Sequence, residues 1–322
     1  MGGGIYSSVS RATRSDTLGY ETKSRFELFS RDVHNDMNPS GIELREARDS
    51  ADHPCSVPVI IALDVTGSMG SVPHELLKSG LPTIMDTIFE KGIKDPQIMF
   101  VAVGDHECDR HPLQISQFES SDEKLDSWLQ KVYLEGGGGG NDGESYLLPW
   151  MFTKVIKTDH MEKRGKKGIL ITIGDEKCLP KIGARDSKNI FGVDKATTAV
   201  EALEEARKEW KVFHIHVVST NAGARNSTQS YWKELDLDGV KFAVGDDVAR
   251  TIARIVSENA DVAIDSTAQV NSSGGVMAGP SDEVPSDVEG PTRPNIPDLE
   301  NDIPVSGIES GNSSIDDLPE PL

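Results

Sequence analysis

The chain has 322 residues, of which 33 are Lys or Arg and 53 are Asp or Glu, giving a formal net charge of −20. This acidity argues against a general nucleic-acid-binding protein, because binding to phosphates requires a positively charged surface. The sequence contains no apolar run of the roughly 20 residues needed to span a bilayer, and residues 1–7 lack the basic and apolar regions of a secretion signal. We therefore expect a cytoplasmic protein with no membrane segment.

Along the chain, residues 1–54 are predicted to form an N-terminal arm, mobile over residues 1–24, where the sequence is polar. Between residues 55 and 260, short apolar runs alternate with segments of helical periodicity. The predicted strands are 57–63, 97–103, 113–118, 168–173, 212–219 and 240–244. The predicted helices are 73–90, 122–134, 144–156, 195–210 and 246–258. Pro82 predicts a kink or an interruption in the first of these helices.

This alternation predicts an α/β fold with a doubly wound, mostly parallel, Rossmann-like sheet that helices cover on both faces. The last segment, residues 261–322, has a different composition. It holds thirteen acidic side chains, one basic side chain (Arg293) and no Phe, Trp or Tyr. So little apolar surface cannot compensate for the entropy lost on ordering. We predict a disordered acidic C-terminal tail.

Three of the predicted strands are followed by an aspartate, namely Asp64, Asp105 and Asp175. The carboxyl ends of parallel strands meet at one edge of a sheet, which is where such folds bind ligands. A single Asp after a strand is commonly a helix N-cap, but clustered carboxylates require a cation or a shared proton. Thr66 and Ser68 add hydroxyl groups at alternate positions after Asp64. This set of oxygen donors favours a hard divalent cation such as Mg²⁺.

The segment IIALDVTGSMG resembles the opening of a von Willebrand factor type A (VWA) domain, whose metal-ion-dependent adhesion site begins Asp-x-Ser-x-Ser. Here the motif reads Asp64-x-Thr66-x-Ser68. A second, Gly-rich loop of the family supplies a Thr, and residues 136–145 (GGGGGNDGES) match it, with Asn141 at the Thr position and Asp142 one place away. Asp175 matches the aspartate of the third loop, and the resemblance extends over about residues 55–258.

The resemblance implies a Mg²⁺ or Mn²⁺ ion with one open coordination position, which an Asp or Glu of a partner protein fills. It implies that Asp64 and Ser68 bind the ion directly, that Thr66 and Asp175 bind or orient coordinated waters, and that Asn141 binds directly or through water. Asp142 stays open as the Gly-loop ligand. The predicted function is a metal-dependent protein–protein interaction module with an acidic protein partner, which is not an enzyme and binds neither nucleic acid nor membrane.

The sequence also leaves two other chemistries open. A strand followed by Asp also resembles Mg²⁺-dependent phosphatases of the haloacid-dehalogenase type, but their general acid is a second Asp, where this chain has Thr66. His106, Cys108 and His111 have the spacing of a zinc loop, although the same segment is also an ordinary polar loop.

Three further features have both an ordinary and a functional interpretation. The basic run 163–167 is either a solvated loop or a docking site for an acidic partner. His214 and His216 face one side of a buried strand, which favours hydrogen-bonded histidines over metal ligands. The tail either keeps the protein soluble or places one of its own carboxylates on the ion; the candidates are Asp316, Asp317 and Glu320.

Overall fold

The computed structural model describes residues 4–135 and 141–261. Its strands, numbered in chain order, are β1 (Arg45–Ala47), β2 (Val57–Asp64), β3 (Pro96–Val103), β4 (Leu113–Ile115), β5 (Gly143–Glu144), β6 (Ile156–Thr158), β7 (Gly168–Gly174), β8 (Lys177–Cys178), β9 (Lys181–Ile182), β10 (Thr197–Thr198), β11 (Trp210–Val217) and β12 (Gly239–Ala243). Its α-helices are α1 (Ser8–Leu18), α2 (Arg25–Leu28), α3 (Val72–Glu75), α4 (Leu81–Glu90), α5 (Asp122–Gln130), α6 (Leu147–Phe152), α7 (Asp159–Glu162), α8 (Ala184–Phe191), α9 (Ala199–Ala206), α10 (Asn226–Glu234) and α11 (Val248–Asn259).

The central sheet has the strand order β12-β11-β7-β2-β3-β4. Its strands run parallel except at one edge, where β4 pairs antiparallel with β3. The chain moves outward from β2 to β3 and β4, then returns to β7 on the other side of β2 and continues to β11 and β12. The direction of winding therefore changes between β2 and β7, and open α/β sheets bind ligands at the carboxyl ends of the strands at such a point. The predicted doubly wound, mostly parallel fold is confirmed.

The core lies on both faces of this sheet. All eight residues of β2 are buried, and successive side chains point to opposite faces. Ile61 packs in the cluster that contains α4 and α11, whereas Ile60 packs in the cluster that contains α6 and α9. A strand covered on both sides must be apolar at nearly every position, which is why the sequence shows a continuous apolar run here rather than an alternating one.

The predicted helix over residues 73–90 is interrupted. It consists of α3, a π-helical segment at Leu76–Gly80, and α4, whose first turn contains Pro82. Proline has no N–H to donate and its ring clashes with the preceding turn, so the regular α-helical pattern breaks in the turn before it. The predicted interruption at Pro82 is confirmed.

The prediction of a mobile arm is wrong for residues 4–24. Helix α1 packs against the domain, and the Arg11 side chain is 1% exposed, with its Nε 2.6 Å from Oδ1 of the equally buried Asp126. Arg11 also donates a hydrogen bond to the carbonyl of Leu77 in the π-helical segment. Tyr6 and Tyr20 join the same core cluster as α4. The polar composition of the segment conceals these long-range partners, so composition alone indicated mobility.

Apart from Asp261, the predicted acidic tail lies outside the described residues, and its disorder stays a prediction. The described helices also include none with the length and apolar character required to cross a membrane.

Candidate metal centre

Asp64 is the last residue of β2, and its side chain is fully buried. Its Oδ1 accepts hydrogen bonds from the Thr66 amide at 2.9 Å and the Thr66 hydroxyl at 2.6 Å. Its Oδ2 accepts a hydrogen bond from the Tyr146 hydroxyl at 3.0 Å. Three donors thus hold the carboxylate at the carboxyl end of the central strand.

Ser68 links this group to the neighbouring strand. Its Oγ lies 3.2 Å from the Thr66 hydroxyl and donates to Oδ1 of Asp175 at 3.0 Å. Asp175 directly follows β7 and is fully buried, whereas Ser68 is exposed to solvent. The structure therefore brings four predicted site residues together at the point where the sheet changes winding direction. We call Asp64, Thr66, Ser68 and Asp175 the rim cluster.

Asn141 and Asp142, the two candidate ligands of the Gly-rich loop, form their hydrogen bonds with residues outside the rim cluster. The Asn141 amide donates to Asp105 Oδ2 at 2.8 Å and to Glu107 Oε2 at 3.0 Å. Asp142 accepts a hydrogen bond from Arg225 at 3.0 Å. Among the hydrogen bonds of the described residues, none joins either side chain to the rim cluster. The run 136–140, which precedes them, lies outside the described residues.

Glu144 is the acidic residue that sequence analysis missed. Strand β5 pairs with β8, just after Asp175, and the Glu144 side chain is 6% exposed, with no hydrogen-bond partner for its Oε2. Burial raises the pKa of Glu144, and the next largest contributions come from the charges of Asp64, Asp105, Asp109 and Asp175. The predicted helix over 144–156 concealed it, because an acidic residue at the start of a helix is ordinary.

The electrostatics of the rim cluster are unfavourable for the chain alone. Burial raises the pKa of Asp64, and the nearby charge of Asp175 raises it further. Oδ2 of Asp175 is buried without a hydrogen-bond partner, as is Oε2 of Glu144. Buried polar atoms are almost always paired in folded proteins. These orphaned acceptor oxygens are therefore where a cation, or water bound to a cation, would compensate the charge.

The donor set suits Mg²⁺ better than a softer metal. Two carboxylates and two hydroxyls offer only oxygen, and Mg²⁺ keeps several waters of its own. In residues 4–135 and 141–261, no three His, Cys, Asp or Glu side chains are grouped closely enough to hold a metal. The rim cluster has only two acidic members, so it would rely on hydroxyls and water. His106, one of the residues with zinc-loop spacing, contacts the Ser145 hydroxyl at 2.7 Å.

An aromatic layer behind the rim cluster positions Asp64. Tyr146, which donates to Asp64, makes an edge contact with His214, and His214 stacks on Trp232 with ring centroids 3.4 Å apart. Gly174, at the end of β7, leaves room for Tyr146: a Cβ there would lie 1.7 Å from the tyrosine hydroxyl. The glycine is therefore required by close packing.

The two histidines of β11 are hydrogen-bonded, as predicted. A ring nitrogen of His214 lies 2.9 Å from the Thr172 hydroxyl, and Nε2 of His216 lies 3.0 Å from the carbonyl oxygen of Gly223. Burial lowers the pKa of both imidazoles, so they are neutral at physiological pH and serve as packing groups.

The rim cluster opens onto solvent through Ser68. A cleft of about 680 Å³ lies beside this residue, lined by the loops 67–72, 219–222 and 244–246. On another side, Arg225 joins the loops through Asp142 and Glu176. The arrangement thus combines buried acidic groups with an accessible hydroxyl and adjoining space for a ligand.

No protein-family model and no curated protein matches this chain. Solved structures that resemble it include the pilus adhesin SpaC of Lactobacillus rhamnosus GG, at 9% identity and a TM-score of 0.43, covering 67% of this chain and 31% of the adhesin. The VWA domain of SpRpn10 matches at 9% identity and a TM-score of 0.38, with 62% of this chain and 93% of that domain covered.

The vWF domain of the type V pilus tip protein Mfa5 of Porphyromonas gingivalis matches at 12% identity and a TM-score of 0.41, covering 65% of this chain and 98% of that domain. The chain therefore spans about a third of the adhesin (31%) but nearly all of the two separate domains. The first is described as a VWA domain, the family that the sequence resembles, and the second as a vWF domain. Likenesses at this level concern the fold alone.

Proposed function

We propose that this protein is a metal-dependent protein-interaction module of the von Willebrand factor A type. The observation that carries the proposal is the rim cluster, in which two buried aspartates at the ends of adjacent parallel strands are joined through Thr66 and Ser68 and one carboxylate oxygen has no partner. Mg²⁺ is the ion that these oxygen donors fit, with Mn²⁺ as a substitute of the same coordination preference.

Within this proposal, Asp64 and Ser68 hold the ion directly, and Thr66 and Asp175 bind or orient its waters. Thr66 already donates to Asp64, and Asp175 already accepts from Ser68. Glu144 takes the part first expected of Asn141, accepting hydrogen bonds from coordinated waters. A metal ion that keeps bound waters contacts a carboxylate such as Glu144 through those waters, without a direct metal–oxygen bond. When bound, the ion supplies positive charge at a rim that is otherwise acidic.

The partner group is a carboxylate of an acidic protein. Without a cation, the buried charges of Asp64 and Asp175 repel any approaching Asp or Glu. With the cation, an exogenous carboxylate reaches an open coordination position beside Ser68, and the adjoining cleft of about 680 Å³ receives neighbouring residues of the partner. Partner binding should therefore depend on the metal. The proposal places this interaction in the cytoplasm, which cell fractionation would test.

The proposal assigns the protein no catalytic activity. Thr66 occupies the position where the related phosphatases carry their general acid, and its hydroxyl is committed to Asp64 at 2.6 Å. A hydroxyl does not replace a carboxylic acid in protonating a leaving group. Hydrolysis of an aryl phosphate with Mg²⁺, abolished by Asp64→Ala, would contradict this assignment.

Calorimetric titration of the full chain with Mg²⁺ tests the metal site. We expect Asp64→Ala to remove binding, and the isosteric Glu144→Gln to weaken it by about tenfold, the lower range for outer-shell partners. Asn141→Ala and Asp142→Ala are matched controls from the same loop and should change the affinity by less than about twofold. An unchanged Mg²⁺ affinity in Asp64→Ala would overturn the metal site, whereas an unchanged affinity in Glu144→Gln alone would remove only the role of Glu144.

A further inference from the structure

Strand β12 forms an open lateral edge of the central sheet. It pairs with β11 on one side, and within residues 4–135 and 141–261 no strand pairs with its other side. An edge strand leaves outward-facing N–H and C=O groups free to hydrogen-bond with another extended segment. The opposite lateral edge differs, because β4 has only three residues and all of them are buried. A further strand can therefore be added to this sheet beside β12.

A groove of about 490 Å³ lies beside this lateral edge, between β12 and α11. Its lining includes Val218, Phe242, Val244, Thr251 and Arg254. Phe242 is 39% exposed and Val244 is 45% exposed. Exposed apolar side chains on an edge strand favour association with another chain. The groove thus offers apolar surface next to the free backbone groups of the strand.

The two faces of β12 present different side chains to an added strand. Ala243 packs in the core cluster that contains α11, so Lys241, two residues earlier, lies on the same face. Phe242 lies on the opposite face, where its ring contacts His216 with centroids 5.7 Å apart. The Lys233 ammonium group lies 5.3 Å from the centroid of the Phe242 ring. One face of the edge is therefore cationic and the other aromatic.

The positive charges at this lateral edge have no carboxylate partner. Within the part of the chain that the structure describes, Lys241 and Arg254 form neither an ion pair nor a hydrogen bond. Asp247, the carboxylate in the groove lining, is already paired with Arg250 at 2.8 Å. The edge thus carries unneutralised positive charge on a chain whose net charge is −20. Charge complementarity favours an acidic ligand here.

A second copy of the chain does not suit this edge. Two copies of β12 paired antiparallel over their full length would be related by a two-fold axis. Lys241 is the middle residue of Gly239–Ala243, so it would then lie opposite its own counterpart. Like charges directly opposite each other in paired strands are destabilising. The charge of the edge therefore favours a different protein that supplies acidic side chains.

We propose that the β12 edge binds an extended segment of an acidic partner protein, which adds to the sheet as a further strand. Acidic side chains of this segment face Lys241 and Arg254, and apolar side chains at the intervening positions face Phe242. In this mode of recognition, main-chain hydrogen bonds supply affinity and alternate side chains supply specificity. The ligand is thus a segment in which acidic and apolar residues alternate. The surface requires no cation and does not rest on the proposed metal function.

The test uses the full chain with a chelator present, so that metal-dependent binding does not contribute. The probe is a short fluorescent peptide in which Glu and Val alternate. A control peptide of the same composition groups its Glu residues together, which keeps the charge and removes the alternation. We expect fluorescence anisotropy to show at least about tenfold tighter binding of the alternating peptide. Equal affinities would overturn the proposal, because net charge alone would then account for binding.

Variants of the cationic face locate the bound peptide. Lys241→Ala and Arg254→Ala should each weaken binding by about threefold and together by about tenfold, as for two exposed charge pairs. Lys91→Ala is the matched control, because it removes the same charge from an exposed lysine that precedes β3, near the other lateral edge. It should change the affinity by less than about twofold. A loss in Lys91→Ala as large as that in Lys241→Ala would overturn the proposed site.

Amide hydrogen exchange tests the added strand itself. The alternating peptide should slow exchange within residues 239–243, because it accepts hydrogen bonds from their outward-facing amides. Binding without slower exchange in this segment would overturn strand addition. Slow exchange of the same outward-facing amides before any peptide is added would also overturn the proposal, since a second copy or another segment of this chain would then already cover the edge.

Discussion

The buried pair of Arg11 and Asp126 should contribute strongly to stability, which Arg11→Met tests while keeping most of the side-chain volume. Both side chains are 1% exposed, and Arg11 also donates to the Leu77 carbonyl. Removing one partner of a buried ion pair costs about 3–5 kcal/mol. In Arg11→Met, Asp126 would still pair with Arg14, which lies 3.0 Å away. We therefore expect the free energy of unfolding to fall by about 3 kcal/mol, the lower end of this range.

Urea denaturation followed by tryptophan fluorescence measures this loss, provided that the dependence of the unfolding free energy on urea concentration is the same in wild type and variant. The double variant Arg11→Met with Asp126→Leu should recover much of it, since no uncompensated charge remains. Lys188→Met is the control, because its ion pair with Asp194 is exposed and should contribute less than about 1 kcal/mol. A loss below about 1 kcal/mol in Arg11→Met would refute the reasoning that α1 is an integral part of the domain.

Gly174→Ala should destabilise the protein by at least about 2 kcal/mol, because its Cβ would overlap the Tyr146 hydroxyl; if Tyr146→Phe fails to restore part of this stability, the clash is not the cause. Trp232→Ala should cost about 3–5 kcal/mol in chemical denaturation, because it leaves a large buried cavity beside His214 and removes the indole hydrogen bond to the Glu176 carbonyl; a loss under about 1 kcal/mol would contradict that packing role. Burial lowers the pKa of His160 to about 4, below its unfolded value of about 6.5, so stability should fall as the pH drops from about 6.5 to about 4; His160→Leu should reduce this slope, and an unchanged slope would exclude the histidine as its source. Chelation of divalent cations should release an acidic partner captured by affinity pull-down, whereas binding that persists in chelator would contradict a metal bridge.

The positions of Asn141 and Asp142 in the Gly-rich loop depend on tertiary contacts as well as on local sequence. Sequence alignment with the family left Asn141 and Asp142 open, since both lie in the loop that should supply a ligand. In the structure, Asn141 is held by Asp105 and Asp142 by Arg225. Those partners come from loops 36 and 83 residues away in sequence, and no local pattern reports contacts at that separation.

The sequence alone determined the sheet and the place of the rim cluster. Continuous apolar runs such as 57–63 specify strands buried on both faces, and an aspartate directly after a parallel strand must lie at the carboxyl edge of the sheet. Thr66 and Ser68 follow Asp64 within one short loop, so their proximity to Asp64 is fixed by covalent connection. Asp175 joins them because β7 pairs directly with β2.

Only the tertiary structure decided which other side chains surround the two edges of the sheet. The burial of Glu144 follows from the pairing of two-residue strands that are too short to show periodicity. The docking of α1 depends on Arg11 finding Asp126, more than a hundred residues away along the chain, and a charged residue in a polar segment carries no sign of burial. Likewise, His160 and Lys166 acquire a common cavity with Cys55 and Lys94 only when distant loops meet. Periodicity reports how each segment buries its own apolar face, whereas the partners of polar side chains are set by which segments the fold brings into contact.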